Sequence, residues 1–254
     1  MSRLRPLLAL SAAALIAGTA GACSTGDKEA PAPESASTAP APTEPPASSS
    51  ASAADSFEAA MERAMRAELG ADTQIMGVEQ TAQSRAQMAQ RGRPVATVTP
   101  QRCLAVATSA PDLMYPVTEE SVVATGSAGE VLSAARMESA AAAKTSLERM
   151  QKLLTDCSSV LLEEDGTETA LTYTVDGTPS RGRPALDVDL TVADARGKVL
   201  QRLVTRYVAE GDVVLEATLM APGTASASEL SGAASRMEDA VDALAEALPS
   251  SPSV

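Results

Sequence analysis

The chain has 254 residues, a formal net charge of −13, no histidine and no tryptophan. An acidic surface repels phosphate backbones, which excludes nucleic acid as a partner, and the missing imidazole removes Ser-His-Asp and Cys-His catalysis. With one Phe and three Tyr, the core has to be built from Leu, Val, Ala and Met.

Arg3 and Arg5 form a positive start, Leu7 to Ala17 is an apolar run of about eleven residues, and Gly18 to Ala22 are small. That run is well short of the ~20 apolar residues that span a bilayer. The pattern predicts a lipoprotein signal peptide over residues 1–22, cleaved before Cys23. The site reads Ala20-Gly21-Ala22-Cys23, like a lipobox, with Ala20 where Leu is commoner. Cys23 is the predicted lipidation site, carrying a diacylglyceryl group and a further acyl chain such as palmitate. Acyl chains bury ~0.8 kcal/mol per CH₂, enough to hold the chain on the extracytoplasmic face of the cell membrane. The alternative is an ordinary signal beside an incidental cysteine.

Residues 23–54 are Ser, Ala, Thr and Pro with scattered charges. They read as a disordered tether of up to roughly 90 Å at ~3.1 Å per residue, with possible O-glycosylation on its hydroxyls. Residues 55–248 suit one domain, and 249–254 read as a disordered tail.

Within the domain, Asp55 or Ser56 can cap a helix carrying Phe57, Met61, Met65 and Leu69, stopped by Gly70. A short strand at 74–79 follows, and Gln80–Gly92 carries no pattern that assigns it. Thr99-Pro100 reads as a helix start, with the hydroxyl as N-cap, placing Cys103 on a short helix that ends near Ser109. Pro111 to Pro116 is a loop. Ser121–Thr125 and Val131–Met137 flank a Gly-rich connection and form a hairpin. Ala140 to Cys157 is a helix with Leu147, Met150 and Leu154 on one stripe. Asp165-Gly166 is the strongest short hairpin signal, between strands 160–164 and 168–175. Leu186, Val188, Leu190 and Val192 alternate with polar residues, so all four belong on one covered sheet face. Strands 199–208 and 213–220 follow, and a last amphipathic helix runs from about Ser228 to Leu248. The class is α+β: an antiparallel sheet of hairpins packed against amphipathic helices.

With Cys23 committed to lipid, Cys103 and Cys157 remain as an even pair in an oxidising compartment, and a disulfide is the expected state. Closing a loop of about 55 residues contributes roughly 4 kcal/mol in the chain-entropy picture. Two unpaired buried thiols are the alternative. No metal is expected, because no histidine stands ready to complete a site.

Val98-Thr99-Pro100-Gln101-Arg102-Cys103, the hairpin Val122–Met137, the helix Ser139–Cys157 ending in a cysteine, four further strands and the helix Glu229–Leu248 follow one another in a familiar order. In this order residues of about 95–248 resemble the PknH-like extracellular sensor domain of actinobacterial serine/threonine kinases, which also occurs in free-standing lipoproteins. The resemblance implies a central antiparallel sheet with helices and a cleft for an extracellular ligand. The chain departs from that pattern in having one cysteine pair where the kinase domain has two, no tryptophan, and no kinase or transmembrane segment.

No catalytic residue is expected. Ser-x-x-Lys, Gly-x-Ser-x-Gly, Walker A and Gly-x-Gly-x-x-Gly patterns do not occur. Glu163, Glu164 and Asp165 are a candidate carboxylate set, but acids at a hairpin tip are more often solvated charge. Arg91-Gly92-Arg93-Pro94 recurs as Arg181-Gly182-Arg183-Pro184; paired arginines can grip an anion, while the plainer reading is two loops built on Gly and Pro. Met61, Met65, Met137, Met150 and Met237 read as core fillers before they read as copper ligands. The expected function is a non-enzymatic ligand-binding or sensing module of the envelope, with no cofactor, a small-molecule or envelope ligand and no assigned binding residues. A lipid or glycolipid carrier and a structural, partner-binding envelope protein are the alternatives. An enclosed apolar cavity marks a carrier, and a shallow polar groove marks a sensor.

Overall fold

The computed structural model describes residues 56–91, 97–107 and 120–249. The signal segment 1–22, Cys23, the tether 23–54, the Pro111–Pro116 loop and residues 250–254 of the expected tail lie outside them.

The described residues hold a nine-stranded antiparallel sheet, β1 (Gln74–Met76), β2 (Thr97–Thr99), β3 (Ser121–Thr125), β4 (Glu130–Arg136), β5 (Ser159–Glu164), β6 (Thr167–Asp176), β7 (Ala185–Asp194), β8 (Val199–Glu210) and β9 (Val213–Pro222), in the spatial order β1-β3-β4-β9-β8-β7-β6-β5-β2. Strands β5 to β9 form a continuous meander, and β9 closes against β4. The helices are α1 (Phe57–Leu69), α2 (Val78–Arg91), α3 (Leu104–Ala107), α4 (Ala140–Asp156) and α5 (Ala227–Glu246). The α+β expectation holds.

Two clusters make up the core, one on each face of the sheet. Helices α1 and α5 cover β3, β4, β9 and β8 through Met61, Met65, Leu132, Leu215, Val241 and Leu244. Helix α4 covers the other face of β5 to β8 through Leu147, Met150 and Leu154. Strands β8 and β9 lie under both clusters: Val204, Val208, Leu215 and Ala217 belong to one, Tyr207, Ala209 and Val214 to the other. A strand covered on both sides cannot alternate polar and apolar, and Val213, Val214 and Leu215 are consecutively buried. Leu186, Val188 and Val192 are buried against α4 and Leu190 is half-buried there, the shared face that their period of two requires.

Local chemistry sets most boundaries. The Ser56 hydroxyl accepts from Ala59 N–H at 3.2 Å to start α1, and Gly70 ends it at φ 92°. Ser139 caps α4 in the same way. Ser226 and Glu229 form a reciprocal capping box on α5, one residue ahead of the expected start. Asp165 and Gly166 both take positive φ, 50° and 73°, as a two-residue hairpin turn demands.

Three expectations need correction. The strand expected at 74–79 ends at Met76, and Val78 and Glu79 open a helix. Gln80–Gly92 is not patternless chain: Val78–Arg91 is helix α2, started by a side chain distant in sequence. The Glu58 carboxylate of α1 accepts the Val78 N–H at 2.9 Å, and the Thr81 hydroxyl bonds Met76 C=O at 3.2 Å. Thr99 is not an N-cap. It ends β2, paired with Leu161 of β5, because the residue before a proline is driven to extended backbone. Pro100 precedes the 3₁₀ turn Gln101–Cys103 without a side-chain cap.

Cys103 and Cys157 are bonded, with Cα atoms 5.6 Å apart. The bond ties the 3₁₀ turn to the C-cap of α4 and anchors β2, a strand with only three paired residues, on the edge of β5. The five methionines singled out above are all buried in the two clusters.

Titration of the denatured, unreduced chain with a thiol reagent should count no free thiol at positions 103 and 157. Reduction should lower the unfolding free energy by about 2–5 kcal/mol in a denaturant titration. Gly223 offers a sharper packing test. A Cβ there would collide with the Val199 carbonyl oxygen, against backbone that cannot swing away. Gly223→Ala should therefore cost about 1–3 kcal/mol, whereas Gly166→Ala, strained only by its φ, should cost about 1.

Candidate functional site

The end of the sheet at which β3 and β9 begin and β4 and β8 finish holds an open groove of about 860 Å³. It is lined by Ser56, Phe57 and Glu58 from the start of α1, Val78 from the start of α2, and Glu120 and Arg136 from the feet of the β3–β4 hairpin. The β8–β9 turn adds Glu210, Gly211, Asp212 and Val213, and the end of α5 adds Ala245, Leu248 and Pro249. The first and last described residues of the chain are thus at or next to this groove. Its volume falls within the ~300–1,000 Å³ of small-molecule sites.

Arg136 organises it. Its backbone N–H bonds Glu120 C=O at 2.9 Å, and the next amide, Met137 N–H, bonds Asp212 C=O at 2.6 Å. The neighbouring strands on both sides therefore each bring a carboxylate to the guanidinium: Glu120 at 2.6 Å and Asp212 at 3.7 Å. The guanidinium carbon lies 4.5 Å from the centroid of the Phe57 ring, a cation–π contact worth about 0.5–1 kcal/mol where solvent reaches it. With Arg136 34% and Glu120 48% exposed, the ion pair adds at most about 1 kcal/mol. Its consequence is orientation: the one cation among the described lining residues is held against the wall by its own chain.

The remaining acids also have places. Glu58 caps α2, and so close that a Cβ on Gly77 would meet its carboxylate. Glu210 reaches Arg183 at 3.6 Å.

The Arg181-Gly182-Arg183 loop does grip an anion, and that anion is Asp242 of α5. Arg181 pairs with it at 2.8 Å and Arg183 pairs with its other oxygen. Arg181 and Gly182 both have positive φ, 49° and 79°, closing a turn in which Ser180 and Arg183 exchange backbone hydrogen bonds. The clamp docks the 177–184 loop on α5. The side chain of Arg91 and all of residues 92–96, including Arg93, lie outside the described residues. Glu163 and Asp165 are exposed and Glu164 is half-buried at the β5–β6 tip, away from the groove. Among the described residues, no group of three or more His, Cys, Asp or Glu is placed to hold a metal ion.

A second polar feature sits in the middle of the sheet. Glu216 of β9 accepts from the Ser133 hydroxyl at 2.9 Å and the Thr218 hydroxyl at 3.0 Å. Burial pushes its carboxyl above the usual range, against the opposing pull of these two bonds. Elsewhere, on β6, burial pushes the Tyr173 phenol up to about 12.

None of the groove was assigned from sequence. Its residues come from seven separate stretches between positions 56 and 249, and no stretch carries a motif.

Among solved structures, the extracellular domain of PknH from Mycobacterium tuberculosis matches at a TM-score of 0.42 and 14% identity, over 70% of this chain and 89% of that domain. No family model matches the chain, and no curated protein does.

Because Glu216 binds its proton more tightly folded than unfolded, its contribution is fully present below the unfolded carboxyl pKa and is lost as pH rises through the folded one. Glu216→Gln, which cannot ionise, should therefore melt higher than wild type above pH 7. The two melting curves should converge towards pH 4, as thermal scans across that range will show.

Proposed function

We propose that this chain is a membrane-anchored, extracytoplasmic lipoprotein that binds a ligand without transforming it, as a sensing module of the cell envelope. The observation that carries the reading is the groove: open, of ligand size, and lined by charged and apolar side chains together. A ligand held there is reached from solvent and recognised by charge. Carriage of acyl chains calls instead for an enclosed apolar cavity, so the groove favours recognition over transport. The absence of histidine from the whole chain supports binding without catalysis. No described helix is long and apolar enough to cross a membrane, and the proposed anchor is lipid on Cys23.

Both halves of the proposal are open to test. Cys23→Ser, expressed in an actinobacterial host, should move the protein from the membrane fraction to the soluble fraction and abolish labelling by a fatty-acid probe. Equal labelling of both forms would refute the anchor. Ala245→Trp places an indole in the groove. Envelope small-molecule extract should raise the melting temperature of the wild-type chain, by about 2–4 °C for each kcal/mol of binding energy, and leave the Ala245→Trp chain unmoved. An equal rise in both would take the binding site elsewhere.

A further inference from the structure

We infer that the ligand of the groove is a small organic cation, an amine with an alkyl segment. This rests on the reading of the groove as the binding site. Four carboxylates line it, Glu58, Glu120, Glu210 and Asp212, against Arg136, the one cation among the described lining residues, with Glu210 also met by Arg183 from outside the lining at 3.6 Å. An unencumbered arginine would make a groove of this kind an anion receptor, since guanidinium matches carboxylate and phosphate geometry. Arg136 is encumbered. One side chain partner lies on each flank, Glu120 and Asp212, and its face is turned to the Phe57 ring.

An entering anion would have to displace a carboxylate that is tethered to the same strand ends by backbone hydrogen bonds, and then remain among three further negative charges. Each like-charge contact opposes binding. An entering ammonium has the opposite balance: one cation already neutralised, and carboxylate oxygens on both sides of the opening. The half-buried apolar lining, Val78, Ala245, Leu248 and Pro249, gives a hydrocarbon segment somewhere to leave water. Charge selects the head and these side chains select the body. The net charge of the whole chain, −13, concentrates such ligands near the surface but does not position them, so the test has to separate the groove from the general surface.

Three probes of matched length do so: 1,8-diaminooctane, suberate and 1,8-octanediol, titrated calorimetrically into the purified full chain, with hydrogen-exchange mass spectrometry to map the contact. The diamine should bind saturably at one site, at least tenfold more tightly than the diol. It should protect peptides holding Phe57, Glu120–Arg136 and Glu210–Val213, and suberate should not bind. Glu120→Gln/Asp212→Asn removes two acids and releases Arg136, so diamine affinity should fall at least tenfold and suberate binding should appear. Glu163→Gln/Glu168→Gln removes the same charge from the exposed end of the β5–β6 hairpin and should leave the affinity within twofold.

Suberate or diol binding the wild-type groove as well as the diamine would overturn the inference and leave the groove as a binding site. Equal losses in both double variants, or protection spread over the sheet, would overturn it as general ion pairing. No binding by any of the three would overturn it as well, while the Ala245→Trp comparison decides separately whether the groove is the site.

Discussion

The fold depends on two strands being buried twice. Strands β8 and β9 pair along ten residue pairs, Gln201↔Pro222 to Glu210↔Val213, and carry side chains into both cores. The other strands carry side chains into one core, apart from Ala185 of β7, which joins the cluster under α1 and α5. Strands β3 and β4 take their cover from α1 and α5, and β5 to β7 take theirs from α4 on the opposite face. Each fully buried Val or Leu contributes about 1.5–3 kcal/mol, and the β8–β9 hairpin holds Val204, Val208, Val213, Val214 and Leu215 in that state. Neither core is complete without it.

That arrangement leaves half of each sheet face open, and it explains the polar rows. On the face of β6 and β7 turned away from α4, Thr172, Thr174 and Asp189 are exposed, on the side opposite Leu171, Leu186 and Val188. It also explains why the groove is where it is. The turn joining β8 to β9 projects from the most constrained part of the molecule, and Glu210, Gly211 and Asp212 form one side of the groove. The starts of α1 and α2 and the ends of α5 and β4 converge on this hairpin tip.

The residues of this chain announced its elements better than its site. Leu186 to Val192 alternate, Asp165-Gly166 demands a tight turn, and Phe57 to Leu69 repeat at helical spacing; each signal is local, and each matched the structure. Helix α2 escaped because its starting hydrogen bond comes from Glu58, twenty residues earlier. β2 was misread because a Thr-Pro pair serves equally as a helix start or a strand end, and pairing with β5 decided for the strand. The arginine pair at 181 and 183 reads more plainly as a Gly-Pro loop than as an anion grip, and only the docking of α5 supplies the anion, Asp242. The groove depends wholly on convergence: Arg136 is an unremarkable strand-end residue until Glu120, Asp212 and Phe57 are brought around it. A run such as Val213-Val214-Leu215 is the one signal in the sequence of a doubly covered strand, and thus of where the two cores meet.

Native-state hydrogen exchange tests this architecture most directly, since it ranks opening free energies along the chain. The account predicts that amides of Val204–Val208 and Leu215–Leu219 exchange only through global unfolding. Those of Glu120, Gly211 and Asp212 should exchange through smaller local openings. Slowest exchange in α4 and β5–β6, with β8 and β9 opening first, would contradict it and remove the rigid support proposed for the groove.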